Sequence, residues 1–162
     1  MFLAIILIIL SLWHDQPLDK SVNIDKMVIR KSERVLEIYS KGKLIKSYPI
    51  SLGFNPVGKK HFQGDGKTPE GRYIINDRNP HSKYHKNLGI SYPNRADRRF
   101  ARRHHKSAGG DIKIHGLPNG YGSVGKAHLA HDWTAGCIAV TDEEIDELYR
   151  IIKIGTPIII KP

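Results

Sequence analysis

The sequence predicts a mainly β domain with one or two helices. Short runs rich in β-branched and aromatic residues alternate with polar turns through most of the chain. One amphipathic stretch near the C-terminus follows a helix-capping signature. The length of 162 residues suits a single domain, and a hydrophobic fraction of 40% is enough to bury a core, which excludes a wholly disordered protein.

The first half of the domain is predicted to be strands and turns. Three β-rich runs, at residues 27–29, 35–39 and 44–50, are separated by polar turns, so we expect a meander of hairpins. Residues 55–71 are rich in glycine and proline, which predicts a succession of ordered turns and excludes a helix. A further strand is predicted at residues 72–76.

The second half is predicted to hold the helices. In order, we expect a long loop at residues 77–94, a short basic helix at residues 95–106 and a strand at residues 111–114. Thr141 and Glu144 form a capping box that predicts the start of a second helix. Gly155 is expected to end that helix before a final strand at residues 156–160.

The chain begins with an unbroken apolar run at residues 2–10, which the next three residues extend. About a dozen apolar residues fall short of a membrane-spanning helix and suit the core of a signal peptide. We therefore expect residues 1–13 to be a signal or anchor segment in contact with the membrane, residues 14–25 a polar tether, and residues 26–162 a domain in the cell envelope. Cleavage stays open, and a buried N-terminal strand or helix is the alternative.

Charge and cysteine content limit the function classes. Lys plus Arg number 26 and Asp plus Glu 16, so the formal net charge is +10. Such a charge attracts nucleic acid, phospholipid headgroups and anionic wall polymers alike. The single cysteine, Cys137, excludes an internal disulfide and a Cys-rich zinc module. An unpaired thiol in an exported protein is open to oxidation, so Cys137 should be either buried or useful.

Cys137 and His115 are the candidate catalytic residues. Gly136 allows a tight turn that presents the thiol and directs N–H groups at one point. His115 ends a predicted strand immediately before Gly116, and a cysteine nucleophile needs a neighbouring imidazole to hold its thiolate. The alternatives are a cysteine that packs as a small hydrophobe and a histidine satisfied at a strand end.

Two other groups of residues suggest functions less strongly. His128, His131 and Asp132, with His115 and Cys137 as further ligands, offer suitable zinc donors, but their spacing matches no standard zinc signature and we expect no metal. The basic stretch 95–106 is short and no aromatic stacking platform interleaves with it, so we expect no nucleic-acid partner. A solvated basic face or a clamp for substrate carboxylates is the better interpretation of that stretch.

Three motifs in order resemble the YkuD-type L,D-transpeptidase catalytic domain. They are GDGKTPEGRY at residues 64–73, IHG at residues 114–116 and TAGCI at residues 134–138. The resemblance runs from about residue 26 to residue 162. Residues 132–141 also reproduce the D-W-T-x-G-C-I-A-V-T motif of a subgroup.

The resemblance implies a β-sandwich-like domain that acts on peptidoglycan outside the cytoplasmic membrane, without metal or organic cofactor. It implies that Cys137 is the nucleophile and His115 the base, with the imidazole oriented by the carbonyl of Gly116. The N–H groups of residues 135–137 (Ala135, Gly136 and Cys137) would form the oxyanion hole, and Thr134 would shape the turn.

The implied substrate is the stem peptide of peptidoglycan. Cys137 would attack the carbonyl of the third, diamino-acid residue and expel the terminal D-alanine. An amine from another stem would then take the acyl group and form a 3–3 cross-link, or a wall-linked protein would be joined or released. A hydrolytic member of the fold (carboxypeptidase or amidase) and a non-catalytic wall-binding module are the alternatives.

One position departs from the family pattern. Most members have arginine two residues after the cysteine, where this chain has Ala139, a change that the subgroup shares. This puts donor recognition in doubt. The candidate substrate-binding residues are therefore those that could supply charge or contact near the site: Arg95, Arg98, Arg102, Asp132 and Trp133.

Overall fold

The computed structural model describes residues 16–162. The expected signal or anchor segment at residues 1–13 lies outside the described residues. The strands are β1 Lys26–Arg30, β2 Val35–Ser40, β3 Lys43–Pro49, β4 Gly71–Ser82, β5 His85–Ile90, β6 Lys113–His115, β7 Ile138–Ala139 and β8 Pro157–Lys161. The α-helices are α1 Arg95–Arg103 and α2 Asp142–Ile151, and Gly122–Ala130 forms two short 3₁₀ turns.

The strands form one sheet in the order β3-β2-β1-β8-β4-β5-β6-β7. The meander of β1, β2 and β3 is confirmed, with both pairs antiparallel. The last strand, β8, lies between β1, to which it is parallel, and β4, to which it is antiparallel. Burial on both faces explains why Met27, Val28 and Ile29 of β1 are consecutively apolar. The predicted mainly β fold with a helix near the C-terminus is confirmed.

The long strand β4 joins the two halves of the sheet. Its first residues pair with β8, and the register with β5 begins at Ile75 and shifts twice. The prediction of a loop at residues 77–94 is therefore wrong, because these residues complete β4 and form β5. After Asn76 the residues of β4 are exposed or polar, and β5 holds Asn87 and Gly89, so this part of the chain lacks the apolar alternation that marks a strand.

The predicted capping box begins α2. Thr141 Oγ1 accepts the N–H of Glu144 at 3.3 Å, and the Glu144 carboxylate accepts the N–H of Thr141 at 2.9 Å. Ile145, Leu148 and Ile151 are buried where the helix packs against β5 and β6. The helix ends at Ile151, and Gly155, with φ of +91°, instead forms the turn into β8.

The segment at residues 16–25 lies against the domain. Leu18 and Ile24 are partly buried against the core, and the Leu18 N–H donates to Glu147 of α2. The Asp25 N–H donates to the Tyr39 carbonyl of β2 at 2.8 Å. Within residues 16–162, no helix has the length and apolar character needed to cross a membrane.

Removal of the cap is expected to weaken the packing of α2. Thr141→Ala should lower the free energy of unfolding by about 1 kcal/mol, since the hydroxyl that accepts from the Glu144 amide is lost. Urea unfolding followed by far-UV circular dichroism measures this. Thr141→Ser keeps the oxygen and serves as the control, and an equal loss in both variants would contradict the capping argument.

Candidate active site

His115 and Cys137 line one cleft of about 620 Å³. They share this cleft because β6 and β7 run parallel, with Ile114 opposite Ile138 and His115 opposite Ala139. Cys137 therefore sits at the start of the strand that adjoins the His115 strand. The pairing of nucleophile and base candidates depends on two very short strands, of which β7 escaped prediction.

Thr134 holds the turn that carries Cys137. Its hydroxyl donates to the Cys137 carbonyl at 2.7 Å and accepts the Gly136 N–H at 3.1 Å. Its main chain is fixed as well, because its N–H donates to Leu52 at 3.1 Å and its carbonyl accepts from Phe54 at 2.8 Å. The turn is thus tied to itself through one hydroxyl and to the chain after β3 through the backbone.

Position 136 requires a glycine because of the limited space around it and because of its backbone conformation. Its φ is +137°, and a β-carbon there would lie 2.7 Å from the carbonyl oxygen of Lys67. Lys67 belongs to the glycine-rich segment of residues 55–71, which therefore supports the turn of Cys137. Gly53 donates its N–H to the Thr68 hydroxyl at 3.1 Å, which ties the chain after β3 to the same segment.

His115 is 5% exposed and held in one orientation. Its Nδ1 lies 2.7 Å from the Gly116 carbonyl oxygen, so Nδ1 carries the proton and Nε2 can accept one. The rings of Tyr84 and Trp133 enclose the imidazole, with centroids at 4.6 Å and 5.7 Å. The glycine after it has no room for a side chain, because a β-carbon at Gly116 would lie 2.5 Å from the carboxylate of Asp142.

The model of the YkuD family, described as the L,D-transpeptidase catalytic domain, matches residues 25–160. The chain belongs to this family. The YkuD domain is 33% identical over 130 residues to YafK of Escherichia coli K12, named as a candidate L,D-transpeptidase, covering 76% of this chain and 45% of that protein. The chain thus spans less than half the length of the curated relative.

Solved structures share the fold of the YkuD domain. The helical cell shape determining protein Pgp2 from Campylobacter jejuni aligns over 93% of this chain and 54% of its own, with 25% identity and a TM-score of 0.63. An L,D-transpeptidase from Mycobacterium smegmatis aligns over 87% of this chain and 59% of its own, with 13% identity and a TM-score of 0.57. The second likeness concerns the fold alone.

The environment keeps both members of the pair neutral in the resting YkuD domain. Burial is the main cause that raises the pKa of the Cys137 thiol above its usual range, and the charge of Asp111 adds to it. Burial also lowers the pKa of His115, with smaller contributions from His128 and Lys113, against the Gly116 hydrogen bond that raises it. A thiol and a neutral imidazole, and not a thiolate–imidazolium pair, therefore line the cleft.

The other predicted site residues of the YkuD domain separate into three groups. Trp133 and Ala135 line the cleft. Asp132 is bound by the Arg34 guanidinium at 2.8 Å and by the Leu52 N–H at 2.8 Å, so it anchors the start of the Cys137 turn. The predicted arginines, Arg95, Arg98 and Arg102, are exposed on α1 and line neither described cleft that contains Cys137, and their role as substrate ligands stays a prediction.

His128 is a site residue whose position the sequence analysis did not predict. It is 6% exposed, and its Nδ1 accepts the Trp133 indole N–H at 3.2 Å. The Ser51 hydroxyl contacts it, and Ser51 pairs with Ala139, the residue opposite His115. Paired residues share a sheet face, so Ser51, Ala139 and His115 lie on the same face. His128, which contacts Ser51, therefore lies on the His115 side of the sheet. In the sequence, the histidine-rich run HLAHDW indicated His128 only as a candidate zinc ligand and did not predict its contact with Trp133.

Asn87 is a second site residue whose position the sequence analysis did not predict. It lies opposite His115 in the pairing of β5 with β6 and lines the same cleft. It is 3% exposed, and its side-chain oxygen has no hydrogen-bond partner in the described part of the chain.

Among residues 16–162, no three or more His, Cys, Asp or Glu side chains converge as metal ligands would.

The pH dependence of thiol labelling follows from these pKa directions. Only the thiolate reacts, so a raised pKa predicts that the rate of Cys137 alkylation climbs with pH through a midpoint above that of a free small thiol. Iodoacetamide labelling from pH 5 to pH 10, with N-acetylcysteine alongside, measures the midpoint.

A variant at Asp111 tests the cause of the raised pKa of Cys137. Asp111→Asn should move the midpoint to lower pH, because the Asp111 charge opposes the thiolate. A rate that is already constant from pH 6 to pH 8 would indicate a resting ion pair and contradict the prediction.

Proposed function

We propose that this domain is a peptidoglycan L,D-transpeptidase with Cys137 as the nucleophile and His115 as the general base. The observation that carries the proposal is the fixed imidazole. Its Nδ1 is committed to the Gly116 carbonyl, so Nε2 is the nitrogen available in the cleft that also holds Cys137. Family membership supports this class of enzyme.

The first half-reaction forms a thioester. The thiol proton of Cys137 passes to Nε2 of His115 as the sulfur attacks the carbonyl carbon of the diamino-acid residue of a stem peptide. The oxyanion accepts hydrogen bonds from the N–H groups of Ala135 and Cys137. The Gly136 N–H, expected to be a third donor, is not available, because it donates to the Thr134 hydroxyl that holds the turn in place. The carbon–nitrogen bond then breaks, and the imidazolium gives its proton to the amine of the departing D-alanine.

The second half-reaction decides the product. A side-chain amine of another stem peptide attacks the thioester, loses its proton to His115 and forms a 3–3 cross-link, and the Cys137 thiol is restored. An amine of a wall-linked protein would give attachment instead. Water would give a tripeptide, which is the hydrolytic alternative.

The cellular setting is part of the proposal. Peptidoglycan lies outside the cytoplasmic membrane, so the domain is placed in the cell envelope with residues 1–13 as its signal or anchor. The similarity to a cell shape determining protein of Campylobacter jejuni supports a role in cell shape.

Mass spectrometry of tetrapeptide muropeptides incubated with the domain tests the chemistry. Release of D-alanine is expected from the wild type and not from Cys137→Ala. A dimeric product indicates transpeptidation, and a tripeptide indicates hydrolysis. Release of D-alanine by Cys137→Ala at the wild-type rate, or none by the wild type, would contradict the proposal.

A second variant tests the positioning of the turn. Thr134→Val has nearly the same shape but loses both hydroxyl hydrogen bonds, so kcat for D-alanine release should fall by about 10²-fold. Thr134→Ser keeps the oxygen and should retain most of the rate. Equal rates in Thr134→Val and the wild type would show that the hydroxyl does not position the turn.

A further inference from the structure

Half of the formal charge of the chain is concentrated in one short stretch. Residues 95–106 contain six Lys or Arg side chains and one carboxylate, a net +5 out of +10. The carboxylate, Asp97, is buried and is bound by the Tyr73 hydroxyl at 2.9 Å and by Lys59 at 2.9 Å. The surface of this stretch is therefore purely cationic.

The arginines of α1 have no anionic partner within the described residues 16–162. All five are exposed, and no carboxylate there pairs with any of them. Arg95, Arg99 and Arg103 follow one another at intervals of four, which places them in a row on one side of the helix. With Ala96 and Phe100 they line a shallow depression of about 470 Å³.

An aromatic stack fixes the floor of this surface. The Phe100 ring lies between the rings of His61 and His104, with centroids at 4.2 Å and 4.3 Å, and stays 37% exposed. Lys106 lies over the ring of Phe62, which packs beside Phe100. The fold brings residues 61 and 62 from a distant loop to this stretch. Because imidazole rings cover both faces of Phe100, the stack leaves no open face of that ring for a nucleobase.

The cationic surface adjoins a second cleft that contains Cys137. Gln63, which follows Phe62, donates its N–H to the Ser107 carbonyl at 2.9 Å, just after Lys106. Gln63 and Gly109 also line a cleft of about 190 Å³ to which Cys137 contributes. The loop of residues 61–63 therefore contacts the surface of α1 and lines a cleft that contains the candidate nucleophile.

We propose that the row Arg95, Arg99 and Arg103, with Phe100 between them, is a docking surface for the carboxylates of the peptidoglycan polymer. This rests on the proposed function and adds to it the recognition of the polymer. A guanidinium binds a carboxylate through two parallel hydrogen bonds, and a polymer with repeated stem peptides offers many such groups. A polymer chain held on α1 lies beside the loop of residues 61–63, whose Gln63 also lines the second cleft with Cys137.

A carboxylate polymer fits this surface better than a membrane does. A membrane-binding helix presents a broad apolar face that enters the lipid, whereas α1 presents one phenylalanine that two imidazole rings cover on both sides. The connection to the Cys137 cleft is a feature that substrate docking needs and that lipid binding does not.

Sedimentation with purified sacculi tests the surface apart from catalysis. In a Cys137→Ala background, the triple change Arg95→Gln, Arg99→Gln and Arg103→Gln should weaken binding to sacculi by at least about tenfold, because multivalent contacts are lost. The control changes Lys41, Lys43 and Lys153 to Gln. It removes the same charge from three exposed lysines that line neither cleft, and it should bind almost as the parent does.

Turnover separates this proposal from the proposed function. With Cys137 intact, the triple variant should lose more rate on sacculi than on soluble tetrapeptide, while its circular dichroism spectrum matches the wild type. Absence of D-alanine release by the wild type would overturn the proposed function, whatever the binding result. Equal binding by the triple and control variants would overturn the docking surface, as would vesicles of anionic phospholipid or duplex DNA that bind the row as tightly as sacculi do.

Discussion

Gly53, Gly66 and Gly136 meet backbone to backbone next to Cys137, and this contact fixes the candidate active site. A β-carbon added at Gly53 would lie 2.1 Å from the Gly66 carbonyl oxygen and 3.1 Å from the Gly136 Cα. No side chain fits between the three segments. The backbone positions of the two neighbouring segments therefore determine the conformation of the Cys137 turn. The glycine-rich segment of residues 55–71 therefore acts on the site through its main chain, although it is distant from Cys137 in sequence.

The desolvation that keeps Cys137 and His115 neutral also protects a free thiol from oxidation. The thiolate is the form that oxidises, and a raised thiol pKa reduces its population. The aromatic rings of Tyr84 and Trp133 that enclose His115 contribute to the same desolvation. On this argument the reactive form arises when a substrate fills the cleft, because the proton then leaves sulfur as the new bond forms.

Local sequence signals predicted the elements whose cause is local. The capping box of Thr141 and Glu144 satisfies its own helix, so four residues were enough to place α2. Cys137 and His115 were recognisable because each lies beside a glycine in an ordered motif. The position of His128 was not, because Trp133 and Ser51 hold it through contacts that depend on the whole sheet. The second half of β4 and the whole of β5 escaped for the same reason, since partners across the sheet, and not their own apolar pattern, make them strands.

The distribution of charge shows why the net value of +10 alone could not identify a partner. Lys31 is buried, and its ammonium donates to the Gly58 and Thr68 carbonyls and to Glu70, so this cation serves to hold loops together. Lys60 is buried in the same way against Asp65. Such cations attract nothing in solution, because their fields are already compensated. The arginines of α1 are the opposite case, exposed and without carboxylate partners among residues 16–162. Because their stretch also holds half of the formal net charge, we assign the attraction of an anionic polymer to their side of the domain.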